Sequence, residues 1–301
     1  MAIKNIVLDF DGTCTQIPAI YKEYLERYLI EFNKRVFSPN PTTPEDGASQ
    51  VSAEEWKQAQ DTVRKNSPKA GWTLAITSSA PAAADPYILA FESAKFILRN
   101  RKAKVSDPPF EAHRDSNEAH EAPWRAEARE VFEKLLKKNI NIYFISNSSS
   151  VTITRRLKEL LEVAELPKAL KVQSDAAKFR VSELPLILSN MEGSLPENVK
   201  SKFEAIPPVH PVSTIGRPVH LRRGHYFSAI YAVLGSSMTS LEDTVFCGDI
   251  WEMDLAMPCE LGAKIHLIKR AAPFDTYSYE LDAVTACKGK ISENLEALLE
   301  W

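Results

Sequence analysis

The sequence has 301 residues, of which 44% are hydrophobic and 26% charged, and its formal net charge is −3 at pH 7. This composition is typical of a globular protein, and the length suits one large core with a smaller domain, or two medium domains. The weak net charge argues against a nucleic-acid partner or a membrane surface bound by bulk electrostatics. No segment reaches the roughly 20 apolar residues of a membrane span.

The beginning of the chain and its cysteines predict a cytoplasmic protein. A strand-like segment starts almost at Met1 and leaves no room for a signal peptide. The cysteines have no CxxC spacing, so we expect neither a disulfide framework nor a zinc site, and we expect four reduced thiols. They are Cys14, Cys247, Cys259 and Cys287.

The first 120 residues begin with one strand and continue as a mostly helical region. Residues 3–8 are a short run of Ile, Val and Leu, typical of a buried parallel strand, and a polar turn follows. The rest of this region alternates between helical patterns and polar breaks. We predict helices at residues 19–35, 53–65 and 85–101, loops at 38–50 and 77–81, and a linker at 106–122.

After this region, strand and helix patterns alternate regularly. Strands are predicted at 140–145, 218–221, 244–247 and 264–268, and helices at 124–138, 151–163, 224–234, 251–261 and from 292 onwards. Residues 171–195 are ambiguous and fit a short hairpin, and residues 206–218 are irregular. The alternation predicts an α/β fold with a doubly wound, Rossmann-like parallel sheet covered by helices on both faces. We therefore predict a core at 1–16 and 121–301 and a helical cap domain at 17–120.

Three predicted strands end in polar side chains, and ligands of open α/β sheets bind beyond the carboxyl ends of the strands. Four converging carboxylates would raise one another's pKa unless a cation lay between them. Oxygen ligands without nearby His or Cys favour Mg²⁺, which points to phosphate chemistry in which a carboxylate can be the nucleophile. The polar residues are Asp9 and Asp11, Ser146 and Asn147, and Asp249 and Asp254.

Three segments resemble motifs of the haloacid dehalogenase (HAD) superfamily, and they occur in the family's order. Residues 7–13 (VLDFDGT) resemble the first motif, 143–147 (YFISN) resemble the second, and 246–254 (FCGDIWEMD) match the fourth, GDxxxxD. The helical region after the first motif is similar to the cap of many relatives. Because dehalogenase relatives lack the second aspartate, Asp11 favours phosphoryl transfer over carbon–halogen cleavage.

The resemblance implies a phosphatase mechanism and a metal site. Asp9 would attack the phosphorus of a small phosphorylated substrate, while Asp11 would protonate the leaving oxygen and then take a proton from the hydrolytic water. Mg²⁺ would bind Asp9, the backbone carbonyl of Asp11 and Asp249. Asp254 would hold this assembly directly or through water.

The resemblance also implies a set of phosphate-binding residues, and two residues are candidates for the cation in this set. The Ser146 hydroxyl and the Asn147 backbone N–H would hold phosphate oxygens. In the third family motif a lysine precedes a helix, but here Arg223 stands in that place. Arginine binds phosphate bidentately and keeps its charge, so we favour Arg223. Lys178 is the competing candidate if its segment folds back over the site.

Other interpretations of the same residues remain open. Asp9 and Asp11 could be turn carboxylates, and Ser146 could cap the following helix. The same phospho-aspartate also suits a phosphotransferase or phosphomutase, and a non-catalytic protein can keep the fold as a scaffold. The sequence identifies neither the substrate nor the oligomeric state.

Overall fold

The computed structural model describes residues 2–37, 49–74, 77–174, 176–185, 195–210 and 214–301. Most of the predicted loop at 38–50 lies outside these residues, as do parts of the segments 171–195 and 206–218. The strands are β1 (Asn5–Leu8), β2 (Gly71–Leu74), β3 (Thr77–Pro81), β4 (Asn141–Ile145), β5 (Leu170–Gln173), β6 (Val209–His210), β7 (Val219–His220), β8 (Thr244–Gly248), β9 (Lys264–Ile268) and β10 (Lys290–Ser292).

Ten α-helices accompany these strands in the described residues. They are α1 (Tyr21–Val36), α2 (Ala53–Asn66), α3 (Pro86–Asn100), α4 (Phe110–Ala119), α5 (Ala128–Lys137), α6 (Ser150–Leu161), α7 (Glu197–Glu204), α8 (Gly224–Leu234), α9 (Ala256–Glu260) and α10 (Ser278–Ala286). Short 3-10 helices occur at Ile17–Ile20, Gly235–Thr239 and Leu295–Glu300, and a π-helical turn at Trp251–Leu255 precedes α9. Among these described helices, none combines the length and hydrophobicity that crossing a bilayer requires.

A six-stranded parallel sheet forms the centre of the molecule, in the order β10-β9-β8-β1-β4-β5. Alternate residues of β1 point to opposite faces: Ile6 and Leu8 pack with α5 and α6, whereas Val7 packs with α8. Each such buried aliphatic side chain contributes about 1.5–3 kcal/mol to folding. The predicted doubly wound α/β fold is therefore confirmed.

The described part of residues 17–120 packs around a hydrophobic cluster to which the rest of the described chain contributes Phe274. Tyr28 of α1 stacks on Trp56 of α2 with the ring centroids 5.9 Å apart, and α3 and α4 pack on the same cluster. The chain leaves and re-enters the sheet region at neighbouring positions, because Thr15 forms an antiparallel bridge with Trp124. This closed geometry is what an insertion into a loop requires.

Two predictions in this region are wrong. The supposed linker at 106–122 contains α4, because its prolines precede the first helical turn, where the missing N–H costs nothing. The helix is held by a 2.8 Å hydrogen bond between Tyr24 of α1 and His113. The supposed break at 77–81 is β3, which pairs antiparallel with β2.

Further differences occur in the second half of the chain. Residues 171–195 begin with β5, which pairs parallel to β4 rather than forming a hairpin. The helix predicted from 292 onwards begins later, as the 3-10 helix Leu295–Glu300, because Ser292 is the last residue of β10. Two helices, α7 and α10, have no counterpart in the sequence prediction.

The prediction of four reduced cysteines is wrong for two of them. Cys259 and Cys287 form a disulfide with their Cα atoms 6.4 Å apart, and Cys14 and Cys247 are buried and free. The spacing rule missed the bond because β9 separates the two cysteines in sequence, while both pack against the same face of the sheet. Disulfides are typical of oxidising compartments, and the cytoplasmic location stays a prediction.

Candidate active site

Three carboxylates lie together beyond the ends of β1 and β8. Asp9 follows β1 directly, and its N–H donates to the Cys247 carbonyl at 2.9 Å, which extends the ladder between the two strands. Asp249 and Asp254 follow β8. One carboxylate oxygen from each of these three residues lies within 4.8 Å of those from the other two. The parallel sheet thus brings together groups that are 245 positions apart in the sequence.

Two glycines allow the backbone to approach these carboxylates. Gly12 has φ +83°, and a Cβ there would lie 2.4 Å from Asp249 Oδ2. A Cβ at Gly248 would lie 2.2 Å from the Cβ of Asp254. Because real atoms do not come so close, any larger residue would displace a carboxylate. The Ile250 N–H then fixes Asp254 by donating to its Oδ2 at 3.0 Å.

Lys178 is the cation in contact with this cluster. Its side chain is 1% exposed, and Nζ lies 2.6 Å from Asp9 Oδ1 and 2.9 Å from Asp254 Oδ1. Burial alone would lower the pKa of Lys178, but Asp254 and Asp9 raise it above its ordinary value. Lys178 therefore stays protonated and offsets part of the negative charge of the cluster.

The carboxylates themselves are costly to ionise. Burial raises the pKa of Asp9 to about 7, although Lys178 opposes this change. Burial, together with the charges of Asp254 and Asp9, also raises the pKa of Asp249 well above its ordinary value. A divalent cation would relieve this repulsion, and hard oxygen donors of this kind suit Mg²⁺. The residues present therefore fit the predicted metal.

Asp11 points to the strand end on the other side of β1. Ser148, which the sequence analysis gave no role, donates its hydroxyl hydrogen to the Asp11 carboxylate. Burial raises the pKa of Asp11, and the bond from Ser148 partly opposes this change. The buried Ser146 hydroxyl accepts the Ser148 N–H at 3.1 Å, which leaves its own hydrogen free to donate.

The structure separates the two candidates for the phosphate cation. Arg223, the favoured one, directs its guanidinium to two backbone carbonyls, those of Lys178 at 2.5 Å and Ser79 at 2.8 Å. The contact with Asp9 is made by Lys178, because the segment after β5 folds back over the strand ends. Asn147 secures this segment by accepting the Lys178 N–H at Oδ1, 2.8 Å away. The geometry thus brings Lys178, and not Arg223, into contact with the carboxylates, and the binding of phosphate by either residue stays a prediction.

Thr13 joins two of the carboxylates and was missed as a functional residue. Its hydroxyl lies 3.2 Å from Asp9 Oδ2 and 3.2 Å from Asp249 Oδ1. Arg125 supports the turn by donating to the carbonyl of Thr13 at 2.8 Å and to that of Gly12 at 3.0 Å. The signal for Thr13 was its place in the DxDGT segment, but nothing in the sequence indicated Arg125.

A cavity of about 350 Å³ opens beside Gly12 and Asp249, between the core and residues 17–120. The insert contributes residues 84–86 to its wall, and the core contributes Arg270 and Phe274. Asp85 caps α3 by accepting the Ile88 N–H at 2.7 Å. Such a cavity at the strand ends is large enough for a small molecule.

Neither a family model nor a curated protein matches the sequence. Among solved structures, the chain is similar to YfnB from Bacillus subtilis, designated an HAD-hydrolase and bound to magnesium, with 11% identity, coverage of 100% of this chain and 98% of that one, and a TM-score of 0.50. Other similar structures are a predicted phosphoglycolate phosphatase from Haemophilus somnus 129PT (11% identity, 99% and 97% coverage, TM-score 0.48) and L-2-haloacid dehalogenase from Xanthobacter autotrophicus (11% identity, 98% and 96% coverage, TM-score 0.44).

The parallel sheet and the likeness to YfnB define the fold of this protein. The chain has the fold of the HAD hydrolases, as its motifs predicted. A fold shared at this identity hosts several reactions. The reaction is therefore argued from the site residues.

Proposed function

We propose that this protein is a Mg²⁺-dependent phosphatase that hydrolyses a small phosphorylated metabolite through a phospho-aspartate on Asp9. The observation that carries the proposal is the position of the Asp9 carboxylate. It lies at the end of the central strand, 2.6 Å from the Lys178 ammonium and within a cluster of two further carboxylates. A nucleophile beside fixed positive charge is what attack on a phosphate dianion requires.

The metal site of the proposal uses residues of the first and fourth motifs. Asp9, Asp249 and the backbone carbonyl of Asp11 would hold Mg²⁺, with Asp254 acting directly or through water. When bound, the ion supplies positive charge to the phosphate oxygens. Thr13 would fix the positions of the Asp9 and Asp249 carboxylates relative to each other, since its hydroxyl is 3.2 Å from both.

In the first chemical step, an Asp9 carboxylate oxygen bonds to phosphorus and the bond from phosphorus to the leaving oxygen breaks. Asp11 gives its proton to that oxygen, and its raised pKa favours the protonated form that this step needs. In the second step, a water oxygen bonds to phosphorus and its proton passes to Asp11. The bond to Asp9 then breaks, and inorganic phosphate leaves.

The remaining groups would bind the phosphate or orient the acid. The Ser146 hydroxyl, the Asn147 backbone N–H and the Lys178 ammonium would hold phosphate oxygens. Ser148 would hold Asp11 through the hydroxyl bond to its carboxylate. We further propose that residues 17–120 act as a cap whose surface lines the cavity and excludes water during the first step.

The test is inorganic phosphate release from a panel of phosphorylated metabolites, with Mg²⁺ and with EDTA. We expect release that needs Mg²⁺ and disappears in Asp9→Asn, while Asp107→Asn, a half-exposed carboxylate in the insert, keeps it. Mass spectrometry of quenched reactions should locate the phosphoryl group on Asp9.

Three outcomes would contradict the proposal. They are phosphate release that survives Asp9→Asn, transfer of the phosphoryl group to an alcohol in place of phosphate release, and halide release from 2-haloacids.

A further inference from the structure

One guanidinium links the insert to the segment that carries Lys178. Arg223, the residue before α8, is fully buried, and it donates to the Lys178 carbonyl at 2.5 Å and to the Ser79 carbonyl at 2.8 Å. Ser79 belongs to β3 of the insert hairpin, whereas Lys178 belongs to the core. The same side chain therefore holds both parts of the molecule.

A second set of contacts joins the same two segments. The Ser79 hydroxyl donates to the Phe179 carbonyl, and the Phe179 ring packs on Trp72 of β2 with the centroids 5.2 Å apart. Two successive carbonyls, those of Lys178 and Phe179, are thus held by Arg223 and Ser79. The hairpin of the insert is in contact with the residue next to the lysine.

The backbone of Lys178 is held on both sides. Its N–H donates to Asn147 Oδ1 at 2.8 Å, and its carbonyl accepts from Arg223. With both backbone groups fixed, the Lys178 side chain starts from a fixed Cα and reaches Asp9 and Asp254. A lysine placed in this way loses less conformational entropy when it binds an anion.

Keeping a charged group at the position of Arg223 is costly. Its Nε is buried and has no hydrogen-bond partner among the described residues, and burying a charge without full pairing is unfavourable. An apolar side chain would fill the same volume without this cost. The cost is offset if the two carbonyl bonds serve the site.

We infer that Arg223 is a positioning residue for Lys178, and that the β2–β3 hairpin of the insert completes the phosphate site from outside the core. This inference rests on the proposed phosphatase function. It gives the insert a role in placing the phosphate-binding cation, in addition to covering the substrate.

The test measures binding of inorganic phosphate by calorimetry in the presence of Mg²⁺, together with kcat and KM. We expect Arg223→Met to weaken phosphate binding about 10-fold, the size of one hydrogen bond to a charged group. Arg223→Lys should recover part of this loss. Ser79→Ala, which keeps the Ser79 carbonyl, should give a smaller loss in a protein that folds normally. The matched control is Arg222→Met, because Arg222 binds the carbonyls of Ile206 and Glu204 and should leave phosphate binding unchanged.

A double-mutant cycle separates positioning from a general effect on the fold. If Arg223 acts through Lys178, then Arg223→Met should cause no further loss of phosphate affinity in a Lys178→Met background. An equal loss in both backgrounds, or unchanged affinity in Arg223→Met and Ser79→Ala, overturns the inference and leaves the phosphatase proposal standing. Wild-type protein that binds no phosphate with Mg²⁺ present overturns both.

Discussion

Asp85 gives a quantitative test of the electrostatics at the cavity wall. Its carboxylate caps α3, and burial raises its pKa from 3.8 to about 6. At about 1.4 kcal/mol per tenfold change, this difference amounts to about 3 kcal/mol. Because folding raises the pKa of Asp85, its protonated carboxyl stabilises the folded state. This stabilisation is full below about pH 4 and is lost as the pH rises through about 6. The Asp85 side chain is only partly buried, so solvent screening reduces this contribution to the free energy of unfolding to about 2 kcal/mol.

The perturbation is Asp85→Asn, which keeps the cap and removes the ionisation. Asparagine caps helices as well as aspartate does. We therefore expect the variant to be about 2 kcal/mol more stable than the parent at pH 8, and equal to it near pH 4. Urea unfolding of the metal-free protein, followed by circular dichroism at both pH values, measures the difference.

Ser52→Asn is the matched control, because Ser52 caps α2 and the exchange introduces no ionisable group. Ser52→Asn should change the free energy of unfolding by the same amount at pH 4 and at pH 8. If Asp85→Asn gives the same change in unfolding free energy at pH 4 and pH 8, or is less stable than the parent at pH 8, the assignment of a raised pKa to Asp85 is wrong.

Three further predictions follow from local geometry. Gly12→Ala should abolish Mg²⁺ binding in calorimetry, because its Cβ would lie 2.4 Å from Asp249 Oδ2. Reducing the Cys259–Cys287 disulfide, which joins residues 28 positions apart, should lower the unfolding free energy by about 3.5 kcal/mol on the loop-entropy estimate. Burial lowers the pKa of His113 to about 4, so stability present above pH 6.5 should be lost as the pH falls towards 4. His113→Gln should flatten that part of the urea-unfolding profile.

The first two of these predictions have controls. Gly216, like Gly12, has a positive φ, here +67°, but nothing lies within 4 Å of a Cβ built on it. Gly216→Ala should therefore keep Mg²⁺ binding. Dithiothreitol should leave the stability of a Cys259→Ser, Cys287→Ser double variant unchanged. Intact Mg²⁺ binding in Gly12→Ala, equal stability with and without reductant, or an unchanged acid profile in His113→Gln would contradict the corresponding prediction.

The sheet and the carboxylate cluster could be predicted because they depend on local patterns. The apolar runs before Asp9, Ser146 and Asp249 identify buried parallel strands, and parallel strands place their carboxyl ends at one edge. The order of the three motifs then predicts that these residues belong to one site, although the sequence does not show their long-range contacts. Asp254 follows because it completes the GDxxxxD spacing that begins with Gly248 and Asp249.

The parts that the sequence left open or missed depend on contacts between distant segments. Lys178 reaches Asp9 only because the chain after β5 folds back, and no periodicity encodes that path. Arg223 stands directly before α8, so its position in the sequence favoured it, whereas the cation in contact with Asp9 is Lys178. The β2–β3 hairpin was missed because both strands are short and β3 (TSSAP) consists of small residues and proline. Its contact with the segment of Lys178, Trp72 against Phe179, joins distant parts of the chain.

The central position of β1 also determines when the site can form during synthesis. The strand that carries Asp9 is translated before both of its neighbours, β4 and β8, which follow only at residues 141–145 and 244–248. At about 5–20 residues per second, a ribosome takes on the order of 10–50 s to reach the second neighbour. Until then β1 has an unpaired edge and Asp9 lacks Asp249 and Asp254. The nascent chain therefore carries Asp9 long before the carboxylates that surround it in the folded protein, and its apolar first strand stays unpaired meanwhile.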